Sequence, residues 1–418
     1  MLVEIARGSL DACITLNMAN KPRIETGEDS NTQSRQSNPS LVSLLLTFLK
    51  LGATAFGGPA MVPYIGKMAV EQRRWLDENT FRDGVALCQT LPGATAMQVA
   101  AYVGFRARGV AGAGASFIGF GLPAFLLMVG LSAFYVSSHT LPQVVAVFNG
   151  LQTIVVAIVA NATLSFGKTS LKSFRDGMIA VIAAGMFGLR VSPILVILLA
   201  ALLGLVTSKK SAPPVLRIHS GSESHSTWPA VIISSVAALA LIVVFFVERK
   251  LFDLAAMMLR IDLFAFGGGF ASVPLMFHEV VEVRAWMDGQ TFLNGIALGQ
   301  ITPGPIVITA TFLGYMLYGL LGAVVATISV FLPSFVMVIG FTPYFDRLRN
   351  GAYFNKVISA ILCSFVGLLL TVTFRFGSNI SWDIPRALIA ITAIVALLLK
   401  IELVWIILVG TVISLVFF

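Results

Sequence analysis

One stretch of this sequence occurs twice. Ala55-Phe56-Gly57-Gly58 returns 210 residues later as Ala265-Phe266-Gly267-Gly268, each time closing an apolar run and preceding a Pro-Gly pair. From Val62 to Gly93, shifted by 211 onto Val273 to Gly304, 15 of 32 aligned positions are identical. A repeat this long is half a domain and not a solenoid unit. The chain is therefore built from two equivalent parts, and its function is expected where they meet.

Composition sets the solvent. Of 418 residues, 57% are hydrophobic and 11% charged, which is too apolar for a water-soluble chain. The long apolar runs point to helices, which satisfy their own backbone hydrogen bonds in lipid. A barrel would instead show alternating ten-residue segments. The net charge of +8 sits mostly in loops beside apolar segments, so it reads as a topology signal and not as a nucleic-acid surface. Cys13, Cys88 and Cys363 are too scattered for a disulfide framework.

Taken in order, residues 1–40 form a polar N-terminal tail, expected to be disordered, with no signal-sequence core. The first repeat is placed at 41–207. Residues 208–250 hold a polar linker and a connecting transmembrane helix, Trp228 to Val247, and the second repeat is placed at 251–418. Arg190 and Lys400, again 210 apart, mark a short-helix hairpin near the end of each repeat. Six crossings per repeat plus one connecting helix give an all-α polytopic membrane protein of about 13 spans, its repeats inverted with respect to one another. With the N-terminus inside, Arg106, Arg108, Lys168, Lys172, Arg175 and Arg284 fall in inside loops, and Lys67 to Asp83 falls outside. Inverted repeats with broken helices are a secondary-transporter plan, with the substrate near the midplane.

Four groups of residues could carry chemistry. Lys50 and Arg260 stand six residues before Phe56 and Phe266, and a matched cation inside each apolar run suggests use, although snorkelling to an interface would also explain it. Pro92-Gly93 and Pro303-Gly304-Pro305 interrupt apolar segments. A helix restarted after such a break offers free N–H groups to an anion, while the plainer alternative is a kink that shapes packing. Gln89 and Gln300 precede the breaks by three residues, and Thr95, Gln98 and Thr302 add donors. Gly57, Gly58, Gly267 and Gly268 allow positive φ, either to open a nest of N–H groups or to let helices touch. Asp262, Glu71 and Glu282 are the acids placed to carry a coupled proton, with ion pairing as the alternative, and Asp262 has Gly52 as its counterpart.

Other chemistries lack support. His278-Glu279-Val280-Val281-Glu282 is missing the second histidine of a zinc protease helix. There is no P-loop, dinucleotide fingerprint or haem-attachment motif, so no cofactor, metal or enzymatic activity is expected.

Together the FGG stretch, the Trp-x-Asp segments at Trp75 to Asp77 and Trp286 to Asp288, the Gln-x-x-Pro-Gly breaks and the two-half plan resemble the chromate ion transporter family in its long two-domain form. The resemblance covers Leu41 to Phe418. It implies chromate export across the cytoplasmic membrane, conferring resistance, with sulfate as a related anion and the proton or the membrane potential as energy source. A homodimer in the bilayer is compatible with it. Matched cations, glycine nests and helix N-termini suit a tetrahedral dianion without separating chromate from sulfate. Sulfate uptake and a membrane-bound reductase are the competing functions. One departure stands out: Pro92-Gly93-Ala94 replaces the family's Pro-Gly-Pro, which the second copy keeps.

Overall fold

The computed structural model describes residues 39–56, 61–207, 228–344 and 352–418. The tail of 1–38, the linker of 208–227, and Gly57 and Gly58 lie outside the described residues. Among those described the chain is helical, with no strand.

In the first half, α1 (Leu41–Thr54) leads through the FGG stretch to α2 (Met61–Gly66), which runs on into a π-helical turn, Lys67–Gln72. Then come α3 (Glu78–Thr90), α4 (Thr95–Ser138), α5 (Pro142–Ser170), α6 (Phe174–Gly188) and α7 (Pro193–Thr207). The connecting helix is α8 (Trp228–Val247). The second half repeats the series as α9 (Arg249–Phe264), α10 (Gly269–Phe277) with a π turn His278–Val283, α11 (Gly289–Ile301), a 3₁₀ turn Ile306–Ile308 leading into α12 (Thr309–Phe341), α13 (Ala352–Ser378), α14 (Ile384–Leu398) and α15 (Leu403–Phe417).

Among the described residues, five segments are long and apolar enough to cross a membrane: α4, α5, α8, Ile306–Tyr344 and Tyr353–Ser378. Most of α8 is unburied, and Val236, Leu239, Val243 and Phe246 all face outward, as lipid-facing residues do. Core packing is aromatic: Phe277, Phe292 and Phe376 meet with ring centroids 5.2 to 6.1 Å apart.

The arms on either side of each FGG stretch run back along one another. Arg73 donates to Thr47 Oγ1 at 3.4 Å and Trp75 stacks on Phe48 at 6.4 Å, although Ala55 lies between the two pairs in sequence. In the second half Arg260 of α9 reaches Glu279, beyond α10, at 3.6 Å. A continuous crossing would carry Glu279 well beyond reach of Arg260, at 1.5 Å per residue along each helix. The second FGG stretch, Ala265 to Gly268, is thus the tip of a hairpin, and α1 runs beside the segment that follows α2 in the same antiparallel sense.

The Pro-Gly breaks are hairpin tips too. Tyr102 donates to Thr80 O at 3.2 Å across the first, and Gly295 and Gly299 face Phe312 and Thr309 across the second. A further reversal splits α4 at Arg108–Gly109 and α12 at Tyr318–Gly319, where backbone angles leave the helical range. There Gly104 packs on Gly112 and Gly314 on Gly322; a Cβ on either partner would lie 2.2 Å from the opposite carbonyl oxygen. Only glycine permits two helix arms to approach so closely.

The halves meet through equivalent residues. Thr163 Oγ1 and Thr373 Oγ1, 210 apart in sequence, lie 3.3 Å from each other. Cys363 Sγ donates to Ser170 O at 3.5 Å. Moving forward along α5 therefore moves backward along α13: the two helices are antiparallel.

Candidate functional site

Four hairpin tips converge, and they do so reciprocally. Gly93 N–H, in the first Pro-Gly break, donates to Ala265 O at the end of α9, at 2.9 Å. Gly304 N–H, in the second, donates to Ala55 O at the end of α1, at 3.0 Å. Each break thus caps the final turn of the opposite half's FGG helix, using a donor that proline has left unpaired. Both glycines need left-handed backbone, with φ of +111° and +125°.

Helix starts differ in their capping. At the outer ends α1, α3, α6, α9, α11 and α14 are capped by Ser40, Asp77, Ser173, Glu248, Asp288 and Asp383. At the tips α4, α10 and the 3₁₀ turn leading into α12 have no side-chain cap, and away from them α5 and α15 also lack one. Two of these uncapped starts are neighbours: a Cβ on Gly268, which precedes α10 with φ of +93°, would lie 3.1 Å from Thr95 Oγ1 at the start of α4. Free first-turn N–H groups and aligned peptide dipoles make such starts favourable for an anion.

Among the described residues, three buried side-chain polar atoms lack a hydrogen-bond partner: Gln98 Oε1, Asp262 Oδ1 and Gln300 Nε2. All three border the breaks. Gln98 sits in the first turn of α4 and donates to Pro92 O at 2.5 Å. Asp262, in the last turn of α9, accepts from Ser334 N at 2.8 Å; Ser334 Oγ in turn accepts from Ala94 N at 3.1 Å. Pro333 precedes this serine inside α12, and the loosened turn leaves its N–H free to reach a carboxylate.

The two breaks differ. A Cβ on Gly93 would lie 2.0 Å from Ser334 Oγ and 2.9 and 3.0 Å from the Asp262 carboxylate. On Gly304 it would meet only Ala124, the counterpart of Ser334, at 2.6 Å. Gly52, the counterpart of Asp262, packs its backbone on Phe120 O. The first break glycine faces polar groups and the second faces a methyl group.

Of the residues singled out in the sequence, Pro92, Gly93, Pro303, Gly304, Pro305, Gln300 and Asp262 are buried at the tips, and Phe56 and Phe266 are half-buried beside them. Gly267, with φ of +96°, and Gly268 form the second FGG turn. Gln89 is exposed and does not share the buried place of Gln300. Lys50 is exposed on α1, and Arg260 is 48% exposed and paired with Glu279, so the cations flank the hairpins away from the tips. Glu71 is exposed, whereas Glu282 contacts Arg375 and lies 2.8 Å from His278 Nδ1. Ser334 and Arg375 went unread. Ser334 was within reach, since Pro123-Ala124 and Pro333-Ser334 are duplicates differing at this one polar residue. The Asp77 and Asp288 caps at the outer ends feel burial, which pushes their carboxyls up. Hydrogen bonds from Thr80 and Thr291 outweigh it and hold both below the ordinary carboxylate range.

A chain of helical hairpins with uncapped helix starts gathered at buried tips is a polytopic α-helical membrane protein of the transporter class. The family model described as Chromate transporter matches residues 42–205 and again 252–415, and the chain belongs to that family. It is 42% identical over 383 residues to an uncharacterized transporter of Methanocaldococcus jannaschii, spanning 91% of this chain and 95% of that one. It is 30% identical over 377 residues to a chromate transport protein of Cupriavidus metallidurans, covering 86% and 88%. A probable chromate transport protein of Synechococcus elongatus is 30% identical over 366 residues, covering 85% and 90%. No solved structure matches.

Proposed function

We propose that this chain is a secondary transporter that exports chromate across the cytoplasmic membrane, its two halves acting as inverted repeats around one central oxyanion path. The observation that carries the reading is the reciprocal docking of the tips, Gly93 on Ala265 and Gly304 on Ala55, beside helix starts that lack caps. The antiparallel contact of α5 with α13 supports the inverted arrangement. Family membership and the named relatives support chromate as cargo.

In this reading a tetrahedral dianion sits among the first-turn N–H groups of α4 and α10, with Gln98, Gln300 and Thr95 as side-chain ligands. Gly57, Gly58, Gly267 and Gly268 admit it to the backbone, while Phe56 and Phe266 border the path. Lys50 and Arg260 steer anions along the hairpin flanks. Asp262 couples transport to a proton: it is buried, has no ion-pair partner among the described residues, and touches the first break. Glu71 and Glu282 stand as alternates nearer the outer ends.

Inside-out vesicles carrying the protein, given labelled chromate or sulfate with and without an imposed pH gradient, test this. Chromate should accumulate in the lumen, faster with the gradient than without. Accumulation equal to that of empty vesicles would sink the reading, and preferential sulfate movement in the opposite direction would replace it with uptake.

A further inference from the structure

Away from the tips, at the end of the molecule where α6, α10 and α13 meet, a second group of charges surrounds a cavity of about 440 Å³ lined by Gly188, Arg190, Glu282, Arg375, Ser378 and Asn379 among others. Arg375, in the last turn of α13, contacts Glu282 through Nη1 and donates from Nη2 to Phe187 O at 2.5 Å and Gly188 O at 3.4 Å. Its guanidinium lies 4.5 Å from the Phe187 ring centroid. A guanidinium has five N–H groups, and these contacts use three, so it can take a further acceptor. Arg190 stands across the cavity on the α6–α7 turn, exposed, with φ of +64° and no ion pair among the described residues.

A plainer account of Arg190 exists: a cation at a helix C-terminus offsets the dipole, and Lys400 does the same at the duplicate turn, with φ of +61°. Arg375 shares that role in part, lying in the last turn of α13 and donating to the end of α6, but the duplicate turn carries no such second cation, since the counterpart of Arg375 is Ser165 and that of His278 is Lys67. The paired arginines belong to one mouth of the molecule only.

We infer that this cavity is a second oxyanion site, distinct from the tips, in which Arg190 and Arg375 hold a tetrahedral anion and Glu282 is its built-in competitor. Arginine forks match the oxygens of sulfate-like and phosphate-like groups, and the cavity keeps one positive charge in excess when Glu282 is paired. The bound group is a free tetrahedral oxyanion or the phosphate of a lipid headgroup. The anion class rests on the arginines alone and does not depend on the transport reading.

The test uses the full chain in detergent, with Cys13 replaced by serine and Val281→Cys as a reporter on the apolar wall of the cavity. The rate of its reaction with a neutral maleimide is measured against sodium sulfate, with chloride at matched ionic strength as control. Sulfate should slow labelling. Arg190→Gln should raise the protecting concentration about tenfold, Arg190→Lys should restore most of it, and Glu282→Gln should lower it. Protection by phosphatidylglycerol in nanodiscs without sulfate, lost in Arg190→Gln, assigns the site to a headgroup. Labelling indifferent to both sulfate and lipid, or protection unchanged in a well-folded Arg190→Gln protein, overturns the proposal. Vesicle transport that fails while protection persists would count against the transport reading and leave this site standing.

Discussion

Asp262 and Gly52 occupy equivalent positions, and the difference between them makes the two breaks chemically unequal. The carboxylate accepts the N–H that the Pro333 kink frees at Ser334, and its other oxygen has no partner among the described residues. Asp262→Asn keeps an acceptor for Ser334 and removes the exchangeable proton. Its vesicle transport should become indifferent to an imposed pH gradient; a gradient response equal to the parent's would remove Asp262 from coupling. Asp262→Ala is the poorer test, because an orphaned buried N–H costs about 1–3 kcal/mol and could unfold the tip. Gly93 gives a sharper steric contrast. Gly93→Ala adds a methyl where Ser334 Oγ stands 2.0 Å away, while Gly109→Ala, also at positive φ, meets nothing within 4 Å. Both substitutions force a side chain onto backbone angles that favour glycine, a penalty of roughly 1–3 kcal/mol each, so transport rates of the two variants compare that penalty with and without the collision. Gly93→Ala should lose most transport and Gly109→Ala little; equal loss would mean that the backbone angle alone matters.

At the scale of elements, caps and tips divide the work between stability and binding. Asp77 and Asp288 cap α3 and α11 at the outer ends, and replacing either with alanine should lower stability by about 1 kcal/mol in a thermal melt. Their carboxyls are held below the usual range, so the caps contribute fully above the ordinary carboxylate value and are lost as pH falls through the depressed one. The parent and Asp77→Ala proteins should therefore converge in melting temperature only in strong acid. The Pro-Gly breaks and the duplication were legible, because proline and glycine act locally and the repeat is written in the residues themselves. Whether an FGG helix continues or turns back is decided by contacts such as Arg73 with Thr47, which no periodicity encodes. For the same reason the cations at Lys50 and Arg260 looked central in the sequence and lie on the flanks. The antiparallel pairing of α5 and α13 has its own test. Thr163→Cys with Thr373→Cys should cross-link under mild oxidation, since their hydroxyl oxygens are 3.3 Å apart, and failure to cross-link in folded protein would contradict the pairing.

For the whole molecule, the hairpins change which loops share a side. Because α1 and α2 fold back, Asn79 lies at the same end as Pro39 and Arg108, which are joined by a hydrogen bond from Arg108 to Pro39 O at 3.3 Å. The second half obeys the same rule at the opposite end, where Gln290 Nε2 donates to Asn379 O at 3.5 Å. The first end carries Arg106, Arg108, Lys168, Lys172 and Arg175 in short turns. Lys67, Arg73, Arg74 and Arg82 share that end, whereas the second carries Arg190, Arg249, Lys250, Arg260, Arg284, Arg375 and Arg386, fewer basic residues in all. By the positive-inside tendency the first end is expected in the cytosol. A plan in which the FGG segments cross gives the reverse assignment for two loops, with Asn79 outside and Gln290 inside. In a background with Cys13, Cys88 and Cys363 replaced by serine, single cysteines at Asn79, Lys172, Gln290 and Ser381 should be labelled in intact cells as two pairs. Gln290→Cys and Ser381→Cys should react with a membrane-impermeant maleimide, and Asn79→Cys and Lys172→Cys only after permeabilisation. If Asn79→Cys reacts from outside while Lys172→Cys does not, the hairpins cross the bilayer after all, and the central site must be rebuilt on continuous spans.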